Sequence, residues 1–427
     1  MTSLRRSHDA LALLLTAALL AGSSAGCEAP PPPPSGSTAS PQASAVADAA
    51  ASTGDPAGPR PAAKEVDNAV VIGERQTFHS TILGEDRTLL VHTPPSYKQG
   101  KDVYPVLYLL DGEDHFHHTT GITTFLGSTG RAPGMIVVGV TNLGGNREHD
   151  LTPTERKDRP GGGGGAKLLA FLRDEVRPRI EGAYRTAPYR ILVGHSLGGL
   201  FAIHTLMSTP EAFDAYVAIS PSLWWDDKLV LREADKFFDH REGLQAFLYF
   251  TVGNEGGDML ENARSFAALL KSKAPGGVAW EFKQMDRESH NSSPHRATYD
   301  ALEALFAGWE APKEITTVKA LQAHYEALSK KLHFEVKLSE TMVTNFAFGL
   351  YAKSRDEAMA AFKLNVQLHP DSAGVYETLG DAYGDNGQPD LAKTNFEIAV
   401  RKATETSDPA LPELKAKLER ASKAKAK

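Results

Sequence analysis

Cysteine is nearly absent: the 427-residue chain has one, Cys27. A single thiol excludes an intrachain disulfide and any thiol-rich metal site. Positive charge is in deficit as well. Lys and Arg number 46 against 53 Asp and Glu, a formal net charge of −7, which leaves no basic surface for nucleic-acid phosphates. The glycine run Gly161 to Gly165 is not followed by Gly-Lys-Ser/Thr and has no strand pattern before it, so it reads as a flexible loop before a helix, not a phosphate cradle. The apolar run Leu11 to Leu20 is too short to span a bilayer. What is present, 41% hydrophobic and 23% charged residues, suits a globular chain long enough for two or more domains.

The solitary cysteine carries positional information. Arg5 and Arg6 precede the short apolar run and Ser24-Ala25-Gly26-Cys27 follows it, the layout of a secretory signal over residues 1–27. The segment resembles a bacterial lipobox, which implies that Cys27 is lipidated through its sulfur and becomes the mature N-terminus. Ser24 stands where such boxes usually carry an aliphatic residue, which keeps an ordinary signal-peptidase site open. The expectation is an exported lipoprotein of the bacterial cell envelope, on a periplasmic or outer-membrane face, held to the membrane by its lipid. Residues 28–66, with Pro30 to Pro34 and then Ser, Ala, Thr, Pro and Gly, cannot bury a core and read as a tether.

A folded region follows over residues 67–311. Gln76 to Leu83 and Arg87 to Thr93 alternate apolar and polar residues across Gly84-Glu85-Asp86, a hairpin pattern. Val103 to Leu110, Met135 to Val140, Ala215 to Ile219, Phe247 to Val252 and Ala279 to Phe282 are strand-length segments, the first two nearly continuous apolar runs as a doubly covered parallel sheet requires. Leu168 to Ile180 has helical periodicity. Strands alternating with helices predict a doubly wound α/β sheet. At its centre Arg190 to Val193 is a strand run, Gly194-His195-Ser196-Leu197-Gly198 a tight turn, and Leu200, Phe201, Ile203, Leu206 and Met207 recur at helical spacing. Strand, Gly-x-Ser-x-Gly and helix make a nucleophile elbow, and the stretch resembles the α/β-hydrolase fold.

An acyl-transfer site needs a base, an orienting acid and oxyanion donors, with acid and base after the serine. His290 lies on the loop after the last strand run; His295 begins the next helix and reads as a capping or solvent-facing residue. Glu255 comes first after the strand Phe247 to Val252 and is the expected acid, with Asp258 as the alternative. The oxyanion donors should be the backbone N–H groups of Leu197 and of Glu113, where Gly112 would let the chain turn after the strand Val103 to Leu110. His115, His117 and His118 in the same loop lack a partner motif for a metal site and read as a polar wall. No metal and no cofactor is expected.

Leu107-Tyr108-Leu109-Leu110-Asp111-Gly112, Val137-Val138-Gly139-Val140-Thr141-Asn142, His149-Asp150-Leu151-Thr152-Pro153 and Ser220-Pro221-Ser222-Leu223-Trp224-Trp225 accompany the elbow in order. Together they resemble the Putative esterase family, which contains the trilactone siderophore esterases and is related to esterase D and the mycolyltransferases. The resemblance implies a serine hydrolase of carboxylic esters, with Ser196 as nucleophile and His290 as base. Some relatives rely on a Ser–His dyad, so the acid stays open. Arg147 is the candidate for binding an anionic ester, and Trp224 and Trp225 either stack on an aromatic acyl group or cover the edge of the fold.

After Ala311-Pro312 the pattern is helical only. Asp356 to Phe362 is echoed by Asp390 to Phe396, with Ala358 and Ala392, and Phe362 and Phe396, 34 residues apart, the tetratricopeptide period. Leu379-Gly380-Asp381-Ala382-Tyr383 supplies the Leu-Gly-x-x-Tyr part. About two repeats are too few to stand alone, so they should pack on the hydrolase or on a helix over Thr317 to Leu332. Two readings follow: a serine esterase acting on a small-molecule ester, or an inactive hydrolase-fold protein that recruits a protein partner through its repeats.

Overall fold

The computed structural model describes residues 70–98, 102–143, 145–239 and 243–424. The expected signal and tether, with Cys27, lie outside the described residues. Eight strands form one sheet: β1 (Glu74–Ser80), β2 (Glu85–His92), β3 (Tyr104–Leu110), β4 (Ile136–Val140), β5 (Thr186–His195), β6 (Ala215–Ile219), β7 (Ala246–Gly253) and β8 (Val278–Met285). Their order is β1-β2-β4-β3-β5-β6-β7-β8. β1 and β2 are the antiparallel hairpin, with Ser80 opposite Glu85, and β2 runs antiparallel to β4. From β4 to β8 every pairing is parallel.

The parallel pairing explains the apolar runs. β3, β4 and β6 are buried at every residue, because helices cover both faces of the sheet. One core lies around Tyr108, Leu192, Phe201 and Tyr216; the other holds Leu107, Ile191, Tyr249 and Leu302. Alternate residues of each strand therefore feed opposite cores.

The segment expected as one helix over Leu168 to Ile180 departs from that reading. It is two α-helical turns' worth at either end, Gly165–Phe171 and Arg177–Ala183, joined by a π-type stretch, Leu172–Val176. Pro178 is the physical reason: it lacks an N–H and its ring would crowd the carbonyl one turn earlier, and a widened turn relieves both. The glycine run before it is held, since Gly164 N–H donates to His149 O at 2.7 Å and Gly165 N–H to Thr152 O at 3.0 Å.

Beyond the sheet the chain is helical: Val318–Leu332, Glu340–Tyr351, Arg355–Leu368, Ala373–Asp385, Pro389–Thr406 and Leu411–Ala424. Thr317 caps the first by accepting from Ala320 N–H at 3.1 Å. That helix belongs to the hydrolase core, not to a separate one. Leu321, Tyr325, Leu328 and Leu332 are buried with Leu302, Leu305 and Phe306, and Phe334 packs on Tyr189 of β5 with ring centroids 4.9 Å apart. Tyr325 donates its hydroxyl to Trp309 O at 2.8 Å. Ala358, Phe362, Ala392 and Phe396, the residues that carry the 34-residue spacing, are all buried between helices.

Candidate active site

β5 ends at His195 and the helix Leu197–Ser208 begins two residues later. Ser196 between them has φ 60° and ψ −113°, a conformation costly for any residue with a side chain. Gly194 is obligatory here, because a Cβ on it would lie 2.2 Å from the Gly198 carbonyl oxygen. Ser196 Oγ sits 3.3 Å from Ser222 Oγ, and Ser222 N–H donates to Ser196 O at 3.1 Å. Ser222 is buried and had no functional role in the sequence reading beyond its place in a motif.

Glu255 follows β7, its side chain 9% exposed. Gly253 N–H donates to Glu255 Oε1 at 3.0 Å, and His290 Nδ1 lies 2.7 Å from Glu255 Oε2. Burial alone would raise the carboxyl pKa; hydrogen bonds from His290 and Ser220 outweigh it and hold the group below the usual carboxylate range. With Nδ1 bound to a carboxylate, Nε2 is the nitrogen left to exchange a proton with a hydroxyl. Asp258 instead stands exposed in the first turn of the helix Gly257–Lys273. His290 lies on the loop between β8 and the helix Ser293–Leu305.

Leu197 opens the helix after Ser196, and Glu113 is in the first turn of the helix Gly112–Ser128. First-turn N–H groups have no acceptor within their own helix, which suits both to an oxyanion. The turn after β3 differs from the expectation, however. Asp111, not Gly112, takes the left-handed conformation (φ 53°, ψ 47°), and Gly112 is needed because a Cβ there would lie 2.7 Å from the Gly139 backbone. The Glu113 carboxylate accepts from Asn142 N–H at 3.1 and 3.2 Å.

The three candidate binding residues separate. Arg147 is bound to the buried Asp111 carboxylate, through Nε at 2.6 Å and Nη2 at 2.8 Å, and Asn142 Nδ2 donates to the same group at 2.6 Å. Trp225 is corrected from a binding residue to a core one: it is 1% exposed, with Nε1 donating to Thr154 O at 3.2 Å. Of the two roles open to it, covering the fold is the one that its burial matches. Trp224 is half-buried, and the Arg156 guanidinium lies 5.5 Å from its ring centroid.

His115 and His118 form part of a file of imidazoles. His290 packs on His195 (centroids 4.5 Å), His195 on His115 (5.6 Å), His115 on His118 (5.3 Å) and His118 on His295 (5.4 Å). Burial, then repulsion from His290 and His115, pushes His195 down to about 4; burial and its histidine neighbours push His118 down to about 4. Among the described residues no group of three or more His, Cys, Asp or Glu is disposed to hold a metal ion.

A parallel sheet with an elbow serine after its central strand, and a histidine–carboxylate pair on later strand ends, defines an α/β-hydrolase. Residues 80–293, half of the chain, match the model of the Putative esterase family, and the chain belongs to that family. It is similar to the ferri-bacillibactin esterase BesA of Bacillus subtilis, 28% identical over 251 residues, which cover 53% of this chain and 87% of that one. Among solved structures it is similar to an IroE-like serine hydrolase of Shewanella oneidensis, with 27% identity and a TM-score of 0.63, over 70% of this chain and 99% of that one. A protein of Capnocytophaga ochracea shares the fold at 17% identity and a TM-score of 0.56, covering 80% of this chain and 99% of its own. The chain is an ester hydrolase with a small-molecule ester as substrate.

Proposed function

We propose that the protein is an exported serine esterase in which Ser196 attacks the ester carbonyl and His290 takes its proton. Glu255 orients His290 and stabilises the imidazolium. The N–H groups of Leu197 and Glu113 hold the tetrahedral oxyanion. Collapse expels the alcohol, protonated by His290, and leaves Ser196 acylated; water then attacks with His290 again as base, releasing the acid and the free serine. Proton transfer requires the Ser196 hydroxyl hydrogen to be directed at His290 Nε2 and not at Ser222 Oγ. The observation that carries the reading is the His290–Glu255 hydrogen bond on the strand ends beside a serine held at positive φ. The similarity to a serine hydrolase supports it.

Relatives described as siderophore esterases support siderophore esters as the substrate class, and aromatic esters are proposed beside them. Fluorophosphonate labelling of the purified protein, followed by an ester panel that includes aromatic acyl groups and trilactones, tests the reading. Labelling at Ser196 with turnover of some panel member is expected; no labelling would return the chain to the class of inactive partner-binding proteins. The helices Arg355–Leu368 to Pro389–Thr406 are read as tetratricopeptide-like, supported by the buried residues at 34-residue spacing. Lipidation at Cys27 places the enzyme in the cell envelope, and Cys27→Ala should release it from the membrane fraction in detergent partitioning.

A further inference from the structure

The motif Ser220-Pro221-Ser222 sets two hydroxyls beneath the site. Ser222 meets Ser196, whereas Ser220 lies between the loop of the acid and Ser293, which bonds the base's backbone. It stands just past β6, fully buried, at φ 42°. Glycine adopts that backbone region with less strain than serine, so the serine here is held at a conformational cost. Ser220 N–H donates to Thr251 O at 3.0 Å, tying the residue to β7. Its Oγ accepts from Gly253 N–H at 3.2 Å, the same amide that reaches Glu255 Oε1 at 3.0 Å. The Ser220 hydroxyl also helps hold the Glu255 carboxylate ionised against its burial. On the other side Ser220 Oγ lies 3.4 Å from Ser293 Oγ, which is itself fully buried and donates to His290 O at 3.0 Å.

We propose that Ser220 is a positioning residue for the Glu255–His290 pair, setting the acid through Gly253 and the carboxylate, and the base loop through Ser293. This rests on the reading of Glu255 and His290 as acid and base. The loops also meet directly, Asn254 N–H donating to Glu288 O at 2.6 Å, and the Ser220 hydroxyl adds a buried link from the acid's loop to the start of the helix that follows the base. Catalytic geometry is sensitive to displacements of the acid and the base because the reacting groups must be aligned before the barrier is crossed.

The test uses the full chain with Ser220→Gly, which removes the hydroxyl and suits the backbone, and Ser220→Ala, which removes it and keeps Cβ. With a p-nitrophenyl ester both should lower kcat about 10- to 100-fold, the scale of a lost hydrogen bond to a charged group, with KM little changed. Both should shift or broaden the downfield proton resonance of the His290–Glu255 hydrogen bond. Glu255→Gln should remove that resonance, and adding Ser220→Gly to it should cost little more, since both act through the one Glu255–His290 pair. A Ser220→Gly protein with wild-type kcat and an unmoved resonance, beside an impaired Glu255→Gln, overturns the positioning role alone. The same holds if only the melting temperature falls. An unimpaired Glu255→Gln overturns the acid assignment itself, whatever Ser220→Gly does.

Discussion

Arg147 grips Asp111 with two nitrogens, and the pair bridges the ends of β3 and β5, since Arg147 Nη2 also donates to His195 O at 3.3 Å. The Asp111 side chain is 3% exposed and that of Arg147 38%. An arginine that the sequence offers to a substrate is committed to a buried carboxylate beside the nucleophile. Its removal leaves that carboxylate without a counter-charge.

Arg147→Met should therefore destabilise the protein by about 3 kcal/mol, the low end of the range for breaking a buried pair, read from urea unfolding. Arg147→Lys should lie between, because an ammonium cannot match a carboxylate with two parallel bonds. Unchanged unfolding with a raised KM would return Arg147 to the substrate.

Ser196→Ala and His290→Ala should each abolish nearly all ester hydrolysis, and the double variant should be little worse than either, because the two act as a unit. The comparison is made by initial rates on purified protein. Wild-type turnover in Ser196→Ala would end the serine reading.

Glu255→Gln should cost less than either, since an orienting acid works only through the histidine. Asp258→Asn should be close to neutral, its carboxylate being exposed on the helix Gly257–Lys273. The opposite ranking would move the acid to Asp258; two neutral variants would make the site a dyad.

Acid should weaken the fold through the imidazole file. His195 and His118 stay neutral in the folded protein down to about pH 4, against an ordinary value of 6.5. The unfolded chain takes up those protons from pH 6.5 downward. Their contribution is thus complete above pH 6.5, shrinks as the pH falls and is gone near pH 4. Melting temperatures at pH 7, 5.5 and 4 should fall in that order, and His118→Phe should flatten the slope. An equal slope in His118→Phe would remove it from the cause.

Deleting residues from 313 onward should lower the melting temperature or make the protein insoluble, because Leu302, Leu305 and Phe306 lose the cover of Leu321, Tyr325 and Leu328. Each such side chain returned to water costs about 1.5–3 kcal/mol. Turnover per folded molecule should persist. A truncated protein that keeps its melting temperature but loses turnover would show that the helices shape the site instead.

The strands were legible because burial on both faces demands unbroken apolar runs, and β3 and β4 fall within a residue of the runs that predict them. The elbow was legible because close passage of strand and helix admits only glycine at 194. The π-type stretch at Leu172–Val176 was not, since periodicity over five residues cannot separate it from an α-helix. Nor were the Ser220, Ser222 and Ser293 hydroxyls. Their partners lie on other strand ends, and nothing local in Ser-Pro-Ser encodes them. The burial of Trp225 and the pairing of Asp111 with Arg147 share that origin, for each depends on what the sheet brings alongside.

Ser196 at φ 60° and ψ −113° stores strain of about 1–3 kcal/mol that the fold carries whether or not an ester is present. Glycine would release it. Chemistry and durability therefore pull this position in opposite directions. A population screened only for survival at high temperature should enrich Ser196→Gly and go catalytically silent, whereas one screened for turnover must draw its heat tolerance from elsewhere in the chain.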